Sequence, residues 1–204
     1  MTNLSKHQYN EPIQQADRLM WNIPNSLTFS RILMIPILVL VFLYNESWSN
    51  LACAALFCLA AITDWFDGYL ARKLGQSSPF GAFLDPVADK LMVSTALILL
   101  VYAHADNLLI VISSIIIIGR EITISALREW MAELGQSANV AVSMIGKVKT
   151  FAQMSAILLL LYQHDLFSLP VFSTGEALLI VAAVLTIISM FIYLKAAWKV
   201  IKNT

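Results

Sequence analysis

Long apolar runs separated by short polar breaks dominate the chain. A helix that crosses a bilayer needs about 20 mostly apolar residues, within a range of about 17–25. Six segments follow this pattern: 26–44, 50–71, 84–104, 107–129, 148–163 and 176–198. The breaks are short, and Asn45 to Asn50, Gly75 to Pro79 and Ser168 to Pro170 carry turn residues. Ahead of the first run, Glu11 to Trp21 mixes Ile13, Leu19, Met20 and Trp21 with Asp17 and Arg18, which predicts a helix lying on the membrane surface. Met1 to Met20 has no apolar core and so is not a cleavable signal peptide. The expected fold is all-α and integral to a membrane: six transmembrane helices with a short N-terminal amphipathic interfacial helix. Residues 1–24 form a cytoplasmic segment and residues 25–204 the membrane domain.

Composition agrees with lipid as the main solvent. Of 204 residues, 59% are hydrophobic and 13% charged, where a soluble domain carries about 25% charged residues. Net charge is zero, but its distribution is not even. No lysine or arginine occurs between Ile32 and Ala71, between Leu91 and Gly119, or between Thr150 and Leu194. All three connections on one side fall in those gaps, and the 13 basic residues map to the other side. Basic residues favour the cytoplasmic face, so both termini are expected there. Cys53 and Cys58 lie within an apolar run and read as packing residues, neither disulfide nor zinc ligands.

Against that background four acids stand out. Ionisable residues within membrane helices cost several kcal/mol unless paired, and so mark candidate sites. Asp64 and Asp67 are three apart in the second run, and Asp85 and Asp89 four apart at the start of the third. Each spacing puts its pair on one helix face. The two helices are antiparallel neighbours, so the pairs converge just below the cytoplasmic surface. Clustered carboxylates raise one another's pKa unless cations neutralise them. Lys90 and Arg72 cannot balance four acids, whereas hard divalent cations take carboxylate oxygens and share their shell with phosphates. Two metals about 3.5–4 Å apart form a clamp for displacement at phosphorus. Gly68, Ala71 and Gly81 beside the acids serve either close helix packing or close approach of a ligand. An ion-transport path would also use intramembrane carboxylates, but here the polar clusters stay at one face.

Three further polar clusters share that face: Asn25, Thr28 and Arg31; Arg120 with Glu121; and Lys147 with Lys149. Asn25 is open to reading as a helix cap, and Lys147 and Lys149 as headgroup anchors. Arg120 lies too deep for anchoring alone. An ion pair between Arg120 and Glu121 is not expected, since adjacent helical positions do not face each other. Gly146–Lys147 does not belong to a phosphate-binding P-loop, because position 141 is alanine where that loop needs glycine. Several cations near an acidic metal site point to an additional anion, such as a phosphate on the acceptor.

The segment D64-x2-D67-G68-x2-A71-R72-x8-G81-x3-D85-x3-D89 resembles the signature of the CDP-alcohol phosphatidyltransferase family at every fixed position. The resemblance implies a six-helix membrane enzyme with two divalent metal ions, Mg2+ or Mn2+. Asp64, Asp67, Asp85 and Asp89 would be their ligands, Asp89 also the general base, and Asp64, Gly68, Ala71, Arg72 and Gly81 would surround the CDP-lipid. Within the family, N-x-L-T-x-x-R, G-R-E-I and G-K-x-K-T are similar to members that join CDP-diacylglycerol to sn-glycerol 3-phosphate. That similarity assigns Arg120, Lys147 and Lys149 to the acceptor phosphate and Asn25 and Thr28 to the donor, leaving Arg31 open to either. Inositol phosphate or serine is the alternative acceptor. The resemblance further implies a homodimer in the inner membrane of a bacterium.

Overall fold

Every apolar run becomes a helix, because in lipid each backbone polar group must be satisfied within its own segment. The computed structural model of the protein describes residues 23–74, 79–133, 144–165 and 170–202. Among these there are six helices: α1 (Ile23–Tyr44), α2 (Ser49–Leu74), α3 (Pro79–Ala103), α4 (Leu108–Glu133), α5 (Met144–Tyr162) and α6 (Val171–Ile201). The surface helix expected over Glu11 to Trp21 lies outside the described residues. Four helices contain stretches long and apolar enough to cross a membrane: Asn25–Tyr44, Phe83–Ala103, Leu108–Glu133 and Val171–Lys195. In α2 the apolar stretch is shorter, Ser49–Asp64, because the acids begin there. Large apolar side chains such as Leu40, Tyr102 and Phe151 are exposed, a surface suited to lipid and ill suited to water.

Helix ends follow local chemistry. Proline stands at the first position of α3, where its missing N–H costs nothing. Asn107 caps α4, its Oδ1 accepting from the Leu109 and Ile110 N–H groups at 3.1 and 3.4 Å. Asp165 does the same for α6, accepting from the Val171 N–H at 3.2 Å. Asn45 and Gln163, just past α1 and α5, have left-handed φ values of 50° and 62°. Asparagine tolerates that conformation well; glutamine does so less readily and here has side-chain partners that hold it.

The chain divides into two compact units, Met1–Asn45 with Ala55–Thr95, and Glu46–Ala54 with Ala96–Thr204. The first buries Leu38, Phe57, Ala60, Ala88 and Met92. In the second, α6 packs against both α4 and α5. Gly175 suits that packing: a Cβ there would stand 3.0 Å from the Leu160 Cγ and 3.3 Å from the Ala156 carbonyl oxygen, tighter than ordinary contact. Small residues at such crossings let membrane helices approach closely. Cys53 is buried and Cys58 half-buried, in keeping with their apolar setting.

Candidate active site

In the first unit, α1 carries polar residues three apart, Asn25, Thr28 and Arg31, on one buried face. The Thr28 hydroxyl donates to Asp85 Oδ1 on α3. Arg31, only 1% exposed, donates from Nη1 to Asp64 Oδ1 on α2 at 2.6 Å. The Asp64 side chain is 46% exposed, so this carboxylate is tied down on one side and open on the other. A charge-assisted contact this short fixes orientation as well as charge. Arg31, which the sequence leaves open between donor and acceptor, is thus the counter-ion of one of the acids. Asp89 is exposed one turn beyond Asp85, and Gly81 is buried one turn before it. Asp67, Gly68, Ala71 and Arg72 lie on α2, but their side chains are outside those the structure describes.

Carboxylate oxygens anchored by a hydroxyl and a guanidinium suit a hard divalent cation, which prefers oxygen ligands in a fixed arrangement. Among the described residues no group of three such ligands is gathered, and Asp67 is not among those side chains.

The second unit holds the cations. Glu121 bridges two of them: Lys149 Nζ donates to its Oε1 at 2.6 Å and Arg120 Nη1 at 3.0 Å. Lys149 is 4% exposed, Arg120 12% and Glu121 24%. The Arg120–Glu121 contact overturns the expectation from helix geometry. Adjacent Cβ atoms diverge by about 100°, but both side chains are long enough to turn back toward Lys149 on α5, where the shared charge draws them together. Lys147, two residues from Lys149, is exposed, since i, i+2 positions on a helix point apart. The triad carries two positive charges and one negative. Arg120 Nε is buried with no hydrogen-bond partner among the described residues. The surplus positive charge and the unused guanidinium N–H suit an anion.

The family model for CDP-alcohol phosphatidyltransferases matches residues 21–192 of the chain. The chain belongs to this family. It is also 53% identical over 179 residues to the CDP-diacylglycerol–glycerol-3-phosphate 3-phosphatidyltransferase of Escherichia coli K12, covering 88% of this chain and 96% of the relative. Proteins of the same description from Shigella flexneri serotype 5b and Shigella sonnei match with the same identity and coverage. No solved structure matches the chain.

In this phosphatidyltransferase family member, two features of the site are not evident from the sequence. One is Glu121 as the bridge between Arg120 and Lys149; the cue was an acid beside an arginine deep in an apolar run. The other is the pairing of Thr28 and Arg31 with Asp85 and Asp64. No local signal marks it, because both contacts depend on how α1 packs against α2 and α3.

Proposed function

We propose that the chain transfers the phosphatidyl group of CDP-diacylglycerol to sn-glycerol 3-phosphate, forming phosphatidylglycerophosphate and releasing CMP. The observation that carries the acceptor assignment is the partly buried Arg120–Glu121–Lys149 triad, whose excess positive charge suits a phosphorylated alcohol. The activity for which relatives 53% identical over nearly their whole length are named supports both substrates.

Asp89, with the exposure a base needs, takes the proton from the acceptor's primary hydroxyl. The freed oxygen attacks the phosphorus that bears diacylglycerol, the bond to CMP breaks, and CMP leaves with the electron pair. Asp64, Asp67, Asp85 and Asp89 would hold two Mg2+ or Mn2+ ions, which would neutralise the diphosphate and the charge developing at phosphorus. Thr28 and Arg31 keep Asp85 and Asp64 oriented for that task. Asn25, Gly68, Ala71, Arg72 and Gly81 border the CDP-lipid. Arg120 and Lys149 hold the acceptor phosphate, and Lys147 adds its charge from the exposed side. Catalysis is then mostly positioning and electrostatics.

The same reading takes α2, 26 residues and about 39 Å long, and α5, 19 residues and about 28 Å, as the remaining two spans. Both termini and the acids face the cytoplasm, with Glu11 to Trp21 on the membrane surface, in a homodimer of the bacterial inner membrane. The test is CMP release from CDP-diacylglycerol in mixed micelles, with glycerol 3-phosphate, inositol phosphate or serine offered in turn, with and without chelator. Metal-dependent release with glycerol 3-phosphate alone is the expected result. Turnover with either of the others in its place removes the acceptor assignment.

A further inference from the structure

Tyr193 sits on α6 in a run that includes the exposed Phe191 and Trp198. Tyrosine near a helix end is commonly an interfacial anchor in contact with headgroups. This one is half-buried and faces α4 instead. The Arg120 guanidinium carbon lies 5.5 Å from its ring centre and that of Arg128 lies 5.3 Å away. Arg128 Nη2 also donates to the Tyr193 hydroxyl at 3.1 Å. Arg120 and Arg128 are eight residues apart on α4, about 12 Å along the axis, so they cannot meet without an intermediary. The ring supplies one.

Arg120 is therefore held in two directions. Glu121 takes Nη1, and the aromatic face of Tyr193 fixes the position of the guanidinium. Left over is the buried Nε–H, which has no hydrogen-bond partner among the described residues. An arginine held in this way loses little side-chain entropy on meeting an anion, because its rotamer is already chosen. Arg128 in turn holds the tyrosine through its hydroxyl.

We infer that Tyr193 is a positioning residue for acceptor recognition: it fixes Arg120 for the acceptor phosphate, and Arg128 acts through it. The inference rests on the assignment of Arg120 to that phosphate. The role touches acceptor binding and leaves donor binding alone, so its mark is a KM for glycerol 3-phosphate that moves by itself.

Steady-state CMP release should be measured against both substrates for Tyr193→Leu, Tyr193→Phe, Tyr193→Trp, Arg128→Gln and Arg120→Gln, each shown to be monodisperse in detergent. Loss of the ring in Tyr193→Leu raises the KM for glycerol 3-phosphate by about tenfold, the upper range of a partly desolvated cation–π contact, with the KM for CDP-diacylglycerol unmoved. Tyr193→Phe and Arg128→Gln stay within about threefold, and Tyr193→Trp recovers most of the parent affinity. The double variant Tyr193→Leu/Arg128→Gln is no worse than Tyr193→Leu, because Arg128 acts through the ring. If Tyr193→Leu does not fold, Tyr193→Met carries the same expectation. A tyrosine that serves only packing would move both KM values or kcat alone, and that outcome overturns the inference. It is equally overturned if Tyr193→Phe is as damaged as Tyr193→Leu. When Arg120→Gln raises the acceptor KM and Tyr193→Leu does not, the positioning role alone fails; when neither does, the acceptor assignment of Arg120 fails with it.

Discussion

Replacing Glu121 by glutamine keeps the shape of the bridge and removes its charge. Lys149 and Arg120, 4% and 12% exposed, are then two buried cations without the carboxylate they share at 2.6 and 3.0 Å. Removing one partner of a buried ion pair costs about 3–5 kcal/mol, mostly as the uncompensated charge left behind. Glu121 is about a quarter exposed, which screens part of the interaction and puts the expected loss near 3 kcal/mol, the low end of that range. An anion that binds only the folded protein stabilises it by RT ln(1 + [L]/Kd), about 2.7 kcal/mol at 100 times Kd. Inorganic phosphate or glycerol 3-phosphate should therefore restore most of the loss in Glu121→Gln, and should stabilise the variant more than the parent. The measurement is unfolding in mild detergent with and without phosphate, with chloride at equal ionic strength as control. A variant within about 0.5 kcal/mol of the parent, the usual range for a surface change, would refute the bridge. Equal stabilisation of both proteins by phosphate would refute the claim that the triad is an anion site.

Three further outcomes are expected. Asp89→Asn lowers CMP release by about 10²–10⁴-fold, the usual worth of a general base, with donor KM little changed; retention of most of the activity would remove Asp89 from that role. Thr28→Val, which deletes the buried hydroxyl donating to Asp85, costs about 1.5–3 kcal/mol in detergent unfolding, and Thr28→Ser recovers most of it; equal losses in both variants would show that the hydroxyl contributes nothing. His104, just past the end of α3, has its pKa lowered by burial, against the upward pull of Asp106 and Glu176. A histidine whose pKa is lowered in the folded state gives up its proton more readily there than when unfolded, so its stability is full above about pH 6.5 and declines as pH falls below it. The apparent Tm should drop between pH 7.5 and pH 5.5, and an undiminished slope in His104→Gln would exclude His104 as the source.

Much of this was legible in the chain because lipid simplifies the problem. Hydropathy alone located six helices, with ends misplaced by a few residues; α3 starts at Pro79 and α5 at Met144 because helices continue past the apolar core into polar residues. The acids stand out by their cost in hydrocarbon, and their spacing of three and four predicts one face for each pair. Pairings between distant segments were not legible. Nothing local in T-x-x-R says that Thr28 meets Asp85 and Arg31 meets Asp64, since those contacts depend on how three helices pack. The Arg120–Glu121 pair was misjudged for the opposite reason. Backbone direction does not govern two long, flexible side chains, and Lys149, which draws Glu121 toward it, lies 28 residues away from Glu121.

The glutamine in a left-handed conformation at the end of α5 has a mechanical consequence. Gln163 accepts from Asn50 Nδ2 at 3.3 Å, and its Nε2 meets His104 Nε2 at 3.1 Å. Nearby, Asn107 donates to Glu176 at 2.6 Å. Lys149 to Gln163 is a span of 14 residues on α5, and Asn107 to Glu121 is a span of 14 on α4, about 21 Å each. The two helices thus work as struts of equal length between a polar clasp at one end and the Lys149–Glu121 bond at the other. Between membrane helices there is little hydrophobic force to oppose sliding. A slip of a full turn, about 5.4 Å, would pull Lys149 out of reach of Glu121. The far clasp therefore acts as a gauge that sets, from a distance of about four helical turns, where Lys149 and Glu121 meet.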